Sequence, residues 1–170
     1  GLVRMKPVSD SFRARADGAA FWEAWVGACL TRGGLAVELY PWVIDGKDHS
    51  LDYDLTARLP GRQGLARVEV KSLSQSFTGP ADYPFEEVLL CSHNSFKRKA
   101  GPRPTPLSLY SDFFLVSTQT GCIVWVPIGT TVFNKQITDT TRNETYYSVA
   151  CSKKDLRHFS DFIEEMNNRI

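Results

Sequence analysis

The sequence predicts an α/β fold, a sheet made of a meander and a hairpin with a helix before it and another after it. Two helical patterns and two β-rich regions carry that expectation. Apolar residues recur at helical spacing from Asp17 to Arg32 and from Ser152 to Asn167. Between them, β-rich runs broken by turn residues lie at Leu35 to Leu73 and at Phe113 to Ile128. A chain of 170 residues, 42% hydrophobic and 23% charged, fits a single domain with a full core and excludes disordered, collagen-like and coiled-coil classes.

The first helix places Phe21, Trp22, Trp25, Val26, Cys29 and Leu30 on one stripe, with Glu23 at its edge beside Val26 and Leu30. Ala20, Ala24, Gly27 and Ala28 make the reverse face small, so the helix is expected to pack on both sides, with Glu23 against a neighbouring element. Gly33-Gly34 ends it. Three strands follow, at Leu35 to Ile44, Leu51 to Leu59 and Leu65 to Leu73, then a loop over 74–84 rich in Ser, Gly and Pro. Phe85 to Phe96 suits either a buried strand or the apolar turn of a helix, and a basic, proline-punctuated stretch runs from Lys97 to Pro106. Thr118 to Gly121 joins two strands as a hairpin. The closing helix over 152–167 presents Leu156, Phe159, Ile163 and Met166 on one face, and the core spans 17–128.

Cys29, Cys91, Cys122 and Cys151 are widely spaced, with no C-x-x-C pair, and are expected to be reduced and mostly in the core. Without an apolar window long enough for a membrane span or a charged-then-apolar leader pattern, the expected location is the cytoplasm, away from membranes. Phosphate-cradling glycine motifs are missing, which disfavours nucleotide-dependent enzymes.

The chemistry concentrates in Arg67-Val68-Glu69-Val70-Lys71, where strand alternation puts Glu69 and Lys71 on one face and Val68 and Val70 on the other. The preceding run, Leu51-Asp52-Tyr53-Asp54-Leu55-Thr56, again alternates acids with apolar residues. A hairpin through Gly61-Arg62-Gln63-Gly64 would set Asp54 opposite Lys71 and Thr56 opposite Glu69, gathering Asp52, Asp54, Glu69 and Lys71 on one face. Carboxylates held about 5 Å apart repel by roughly 3 kcal/mol at an effective dielectric near 20, so a lysine and a hard divalent cation are the expected compensation. Such a cation activates water and stabilises charge on a phosphoryl oxygen.

These residues resemble the PD-(D/E)XK nuclease superfamily, marked by an Asp near one strand, then (D/E)-x-K on the next, often with a Glu from the preceding helix. The matching residues are Asp54, then Glu69-Val70-Lys71, with Glu23 on the first helix. The literal "PD" dipeptide is absent, and Asp52 competes with Asp54 for its role. The resemblance implies a restriction-endonuclease-like core, a mixed central sheet flanked by helices in the order helix, three-stranded meander, helix, strand. It also implies Asp54, Glu69 and the carbonyl of Val70 as ligands of Mg²⁺ or Mn²⁺, Lys71 as the catalytic lysine and Glu23 as an additional acid.

The expected function is therefore metal-dependent hydrolysis of phosphodiester bonds in DNA. Gln75 is followed by Gly79, where the recombination-exonuclease branch carries Gln-x-x-x-Tyr, so an endonuclease is favoured. The alternative is a non-catalytic nucleic-acid-binding or assembly protein on the same scaffold. Net charge is only +1, from 20 Lys and Arg against 19 Asp and Glu, yet the charge is segregated. Asp45, Asp48, Asp52 and Asp54 cluster with Lys47, while Lys97, Arg98, Lys99 and Arg103 stand in a stretch without acids, as expected of a phosphate-contacting segment. With 4 Trp, 6 Tyr and 10 Phe there is apolar surface enough for a homodimer.

Overall fold

The computed structural model describes residues 10–40, 53–101 and 107–169. Helix α1 (Asp10–Arg32) leads into strands β1 (Ala36–Leu39), β2 (Leu55–Arg58) and β3 (Leu65–Leu73). After the loop come β4 (Glu87–Ser92) and α2 (His93–Ala100), then the hairpin β5 (Asp112–Ser117) and β6 (Ile123–Val126). Strands β7 (Phe133–Asp139) and β8 (Glu144–Ser152), a 3-10 turn, the short β9 (Arg157–His158) and α3 (Phe159–Asn168) complete the chain.

Two sheets form. The larger has six strands in the order β1-β2-β3-β5-β6-β9, and the smaller has three in the order β4-β8-β7. β1, β2 and β3 are an antiparallel meander, whereas β3 and β5 run parallel, with Glu69 beside Phe113 and Lys71 beside Leu115. The fold is thus α/β with a mixed sheet, as expected. A parallel neighbour needs a crossover, and β4 with α2 supplies it.

Side-chain alternation divides the interior between the two faces of the larger sheet. Phe114, Val116, Trp125, Val68 and Leu55 face α1 and α3, joining Val26, Leu30, Phe162 and Met166. Phe113, Leu115, Val124 and Val126 face the smaller sheet and α2, joining Val88, Leu90, Val149 and Phe96. Every residue of β5 is buried, which is why its sequence reads as a continuous apolar run. The loop over 74–84 is pinned rather than loose: Phe77 and Tyr83 are buried, and the Asp82 carboxylate accepts from the Thr78 and Gly79 amides at 3.0 Å each.

Several expectations need correction. α1 buries one side only. Val26, Gly27 and Leu30 are covered, while Ala24 and Ala28 are exposed and Phe21 and Trp25 remain 60% and 41% accessible. Gly27 sits where β1 crosses, and a Cβ there would come within 3.1 Å of Leu39 Cδ2. The β2–β3 register is two residues away from that expected: Arg58 pairs with Leu65 and Leu55 with Val68. The turn falls at Leu59-Pro60-Gly61-Arg62, closed by the Arg62 amide donating to the Leu59 carbonyl at 3.1 Å, with Gly61 at φ +79°. Proline then glycine in the central positions is type II turn chemistry, which overrides a loop centred on Gly61 to Gly64.

Phe85 to Phe96 resolves into both candidates, a strand and then a helix start capped by Ser92, whose hydroxyl accepts from the Ser95 amide at 3.1 Å. The closing helix is shorter than expected because Ser152 caps a 3-10 turn instead, and Leu156 packs into the core on the opposite side of the sheet from Phe162. All four cysteines are free, but only Cys151 is fully buried. No helix among the described residues is long and apolar enough to cross a membrane. The acidic segment with Asp45, Asp48 and Asp52, and also Arg103, lies outside the described residues.

Candidate active site

The site forms where β2 begins, beside the middle of β3. Asp54 is the last residue before β2. Its amide donates to the Val68 carbonyl at 2.9 Å, and its Oδ2 accepts from the Val70 amide at 2.8 Å. The second bond fastens the Asp54 carboxylate to the backbone in the middle of the E-x-K tripeptide. The observed register places Asp54 near the level of Glu69 instead of Lys71.

Glu69 is buried on the face toward the smaller sheet. Its Oε1 receives two donors, Lys99 Nζ at 2.6 Å and the Tyr110 hydroxyl at 3.1 Å. Tyr110 is held by ring packing on Phe96 of α2 and Phe113 of β5, with centroids 5.6 and 5.7 Å apart. Glu23 arrives from α1, half-buried one turn before Gly27, within hydrogen-bonding reach of Asp54.

Three carboxyl groups thus lie within electrostatic reach of one another. Burial raises the Glu23 carboxyl to about 8, helped by the charge of Asp54, its hydrogen bond to Asp54 and the more distant charge of Glu69. Burial also raises Asp54, against the lowering effects of the Val70 amide, the Lys99 charge and the Glu23 hydrogen bond. Glu69 is raised as well, again chiefly by burial, with Lys99 opposing and Asp54 reinforcing the shift. The Lys99 ammonium opposes the rise at Asp54 and at Glu69 without cancelling it. Perturbation of this kind marks functional-site candidates.

Lys71 is placed differently from the expectation. It shares a strand face with Glu69, but its Nζ donates to the Leu89 carbonyl on β4 at 2.8 Å. Its stem lines a cleft of about 470 Å³ between the two sheets, with Leu73, Tyr83, Phe85, Leu89 and Ile137. Burial lowers its ammonium, opposed by the neighbouring Cys91. Across the same cleft Lys135 is ion-paired with Glu87.

The basic segment is divided by helix geometry. Lys97 and Arg98 are exposed in the last turn of α2. Lys99 instead lies three residues after the buried Phe96, on the inward side of the helix, and belongs to the carboxylate site. Lys99 and Tyr110 are the partners of Glu69 that sequence reasoning assigned elsewhere or missed. Reading α2 as a helix would have found Lys99 through its spacing from Phe96, whereas Tyr110 carries no local signal. Burial, with the Glu69 charge, pushes the Cys91 thiol up to about 11, and His93 Nδ1 lies 2.8 Å from Asn134 Oδ1.

The donors suit a hard divalent cation. No three His, Cys, Asp or Glu side chains among the described residues converge as a ready cage. Mg²⁺ does not need one, because it binds through one or two carboxylates and keeps several waters. Asp54 and Glu69 would be those carboxylates, with the Val70 peptide already drawn to Asp54 through its amide. Comparison of the chain with family models, curated proteins and solved structures finds no match.

Proposed function

We propose that this protein is a metal-dependent nuclease that hydrolyses phosphodiester bonds in DNA, endonucleolytically, on a restriction-endonuclease-like scaffold. The observation that carries the reading is Asp54, fastened to the Val70 amide, beside the buried Glu69, with Glu23 of α1 in electrostatic reach of both. The element order supports it. With β4 inserted ahead of α2, the run α1, the meander β1-β2-β3, α2 and then β5 parallel to β3 otherwise follows the helix, meander, helix, strand order of that likeness.

In this reading Asp54 and Glu69 hold Mg²⁺ or Mn²⁺, which supplies an acidified water and a counter-charge for the phosphoryl oxygens. Glu23 accepts or returns a proton beside Asp54. The water oxygen forms a bond to phosphorus as the bond to the leaving sugar oxygen breaks, and the displaced proton ends on the leaving oxygen through solvent. Lys97 and Arg98 hold the flanking backbone by charge.

One observation favours a second reading, a non-catalytic nucleic-acid-binding or assembly protein: Lys99 already neutralises Glu69. The discriminating experiment incubates the protein with supercoiled plasmid, linear duplex, single-stranded and branched DNA in Mg²⁺ or Mn²⁺. The nuclease reading expects metal-dependent cutting of at least one of these and none in EDTA. Retention of DNA in a gel shift without cutting of any would establish the second reading instead.

A further inference from the structure

Two lysines lie near the carboxylate cluster, and their surroundings differ. Lys71 is committed to a backbone carbonyl of β4, on the cleft side. Lys99 makes the contact that counts electrostatically, 2.6 Å from Glu69 Oε1, and its charge also acts on Asp54. Its ammonium is largely enclosed, the side chain being 18% accessible against 12% for Glu69. A buried carboxylate needs a cationic partner, and this one is carried by α2 on the turn after the Phe96 anchor.

We infer that Lys99, and not Lys71, is the lysine of this site: it holds Glu69 as an internal counter-ion, gives up that carboxylate when a divalent cation binds, and then contacts the phosphate undergoing attack. The inference rests on the nuclease reading and names its lysine. Glu69 Oε1 already accepts from both Lys99 and Tyr110, so a divalent cation arriving at this carboxylate meets the Lys99 ammonium at short range and repels it. That repulsion moves the Lys99 ammonium off Glu69 and leaves it available to an anionic phosphodiester. Lys71 keeps β3 and β4 together.

Isothermal calorimetry with MnCl₂ at pH 8, alongside plasmid cleavage, tests this on wild type, Lys99→Met, Lys99→Arg and Lys71→Met. Removing the competing charge should tighten Mn²⁺ binding about tenfold in Lys99→Met. Lys99→Arg, which keeps the charge, should bind Mn²⁺ as weakly as wild type, and Lys71→Met should show no tightening. Cleavage should fall at least about tenfold further in Lys99→Met than in Lys71→Met. Unchanged Mn²⁺ affinity in Lys99→Met, equal tightening in Lys71→Met, or a larger cleavage loss in Lys71→Met would overturn the assignment. If Lys99→Met fails to fold, Lys99→Gln replaces it, keeping a hydrogen bond to Glu69 without the charge. Should wild type cut nothing, the nuclease reading falls, and the Mn²⁺ titrations still decide whether Lys99 is the counter-ion a divalent ion displaces.

Discussion

Two buried carboxylates on neighbouring strands meet cations in opposite ways. Asp112, at the start of β5, is 1% accessible and fully answered: Arg169 grips it with Nη1 at 2.6 Å from Oδ2 and Nη2 at 3.0 Å from Oδ1, and the Ile128 amide donates to Oδ1 at 2.8 Å. Glu69 on β3 has one ammonium and one phenol on a single oxygen, and it shares that ammonium's field with Asp54. The first arrangement is bidentate and closed, as a structural staple should be. The second is short of positive charge, the condition in which a divalent cation gains most by binding.

Neutralising substitutions at the under-compensated site should have the largest effect. Asp54→Asn and Glu69→Gln are each expected to lower cleavage by about 10² to 10³-fold, read as initial rates on plasmid, while leaving the fold intact by circular dichroism. At the staple the effect moves from activity to stability. Arg169→Ala leaves Asp112 buried and unpaired and should cost about 3 kcal/mol in urea unfolding. Lys99→Met should cost less than Arg169→Ala, because Glu69 can take up a proton and keep the Tyr110 hydrogen bond. Equal losses would erase the distinction between the two sites.

The pH dependence sharpens the same contrast. An acid whose folded pKa is raised binds its proton more tightly in the folded state, so its contribution is fully present below the unfolded value and is lost as pH rises through the folded one. For Glu23 the window runs from its ordinary 4.5 to about 8. Melting temperature without divalent ions should therefore fall across that window, and Glu23→Gln should flatten the slope. Adding Mn²⁺ should stabilise most at the alkaline end, where the carboxyls are free of protons. A smaller and purely local effect is expected at the β5–β6 turn. There Gly121 has φ +72°, its carbonyl accepts from Trp25 Nε1 at 2.9 Å, and an added Cβ would come within 3.0 Å of the Trp25 ring. Gly121→Ala should lose about 1 kcal/mol or slightly more in thermal unfolding.

Much of this architecture was legible where local chemistry is decisive. The β3 boundaries, the end of α1 at Gly33-Gly34 and the β5–β6 hairpin follow from alternation and turn residues alone. The E-x-K strand and its upstream Asp stood out because acids in mid-strand need a reason. The β2–β3 register was misjudged by two residues because Pro60-Gly61 sets the turn, and parity alone cannot distinguish registers two apart. β7 and β8 were overlooked: their outer ends are polar and exposed, so the apolar signal is thin, although Asn143 with φ 52° marks the turn between them. The partners of Glu69 were beyond reach, since Lys99 and Tyr110 come from 30 and 41 residues away and meet it only once the Tyr110 ring packs between Phe96 and Phe113.

The proposed nuclease chemistry depends on Asp54 and Glu69 binding a divalent cation. Titration of Mn²⁺ followed by electron paramagnetic resonance tests it most directly, because bound and free ion are counted separately. Wild type should show a saturable site that Asp54→Asn and Glu69→Gln abolish and Asp112→Asn leaves untouched. Wild type without saturable Mn²⁺ binding, or Asp54→Asn binding it as wild type does, would contradict the account.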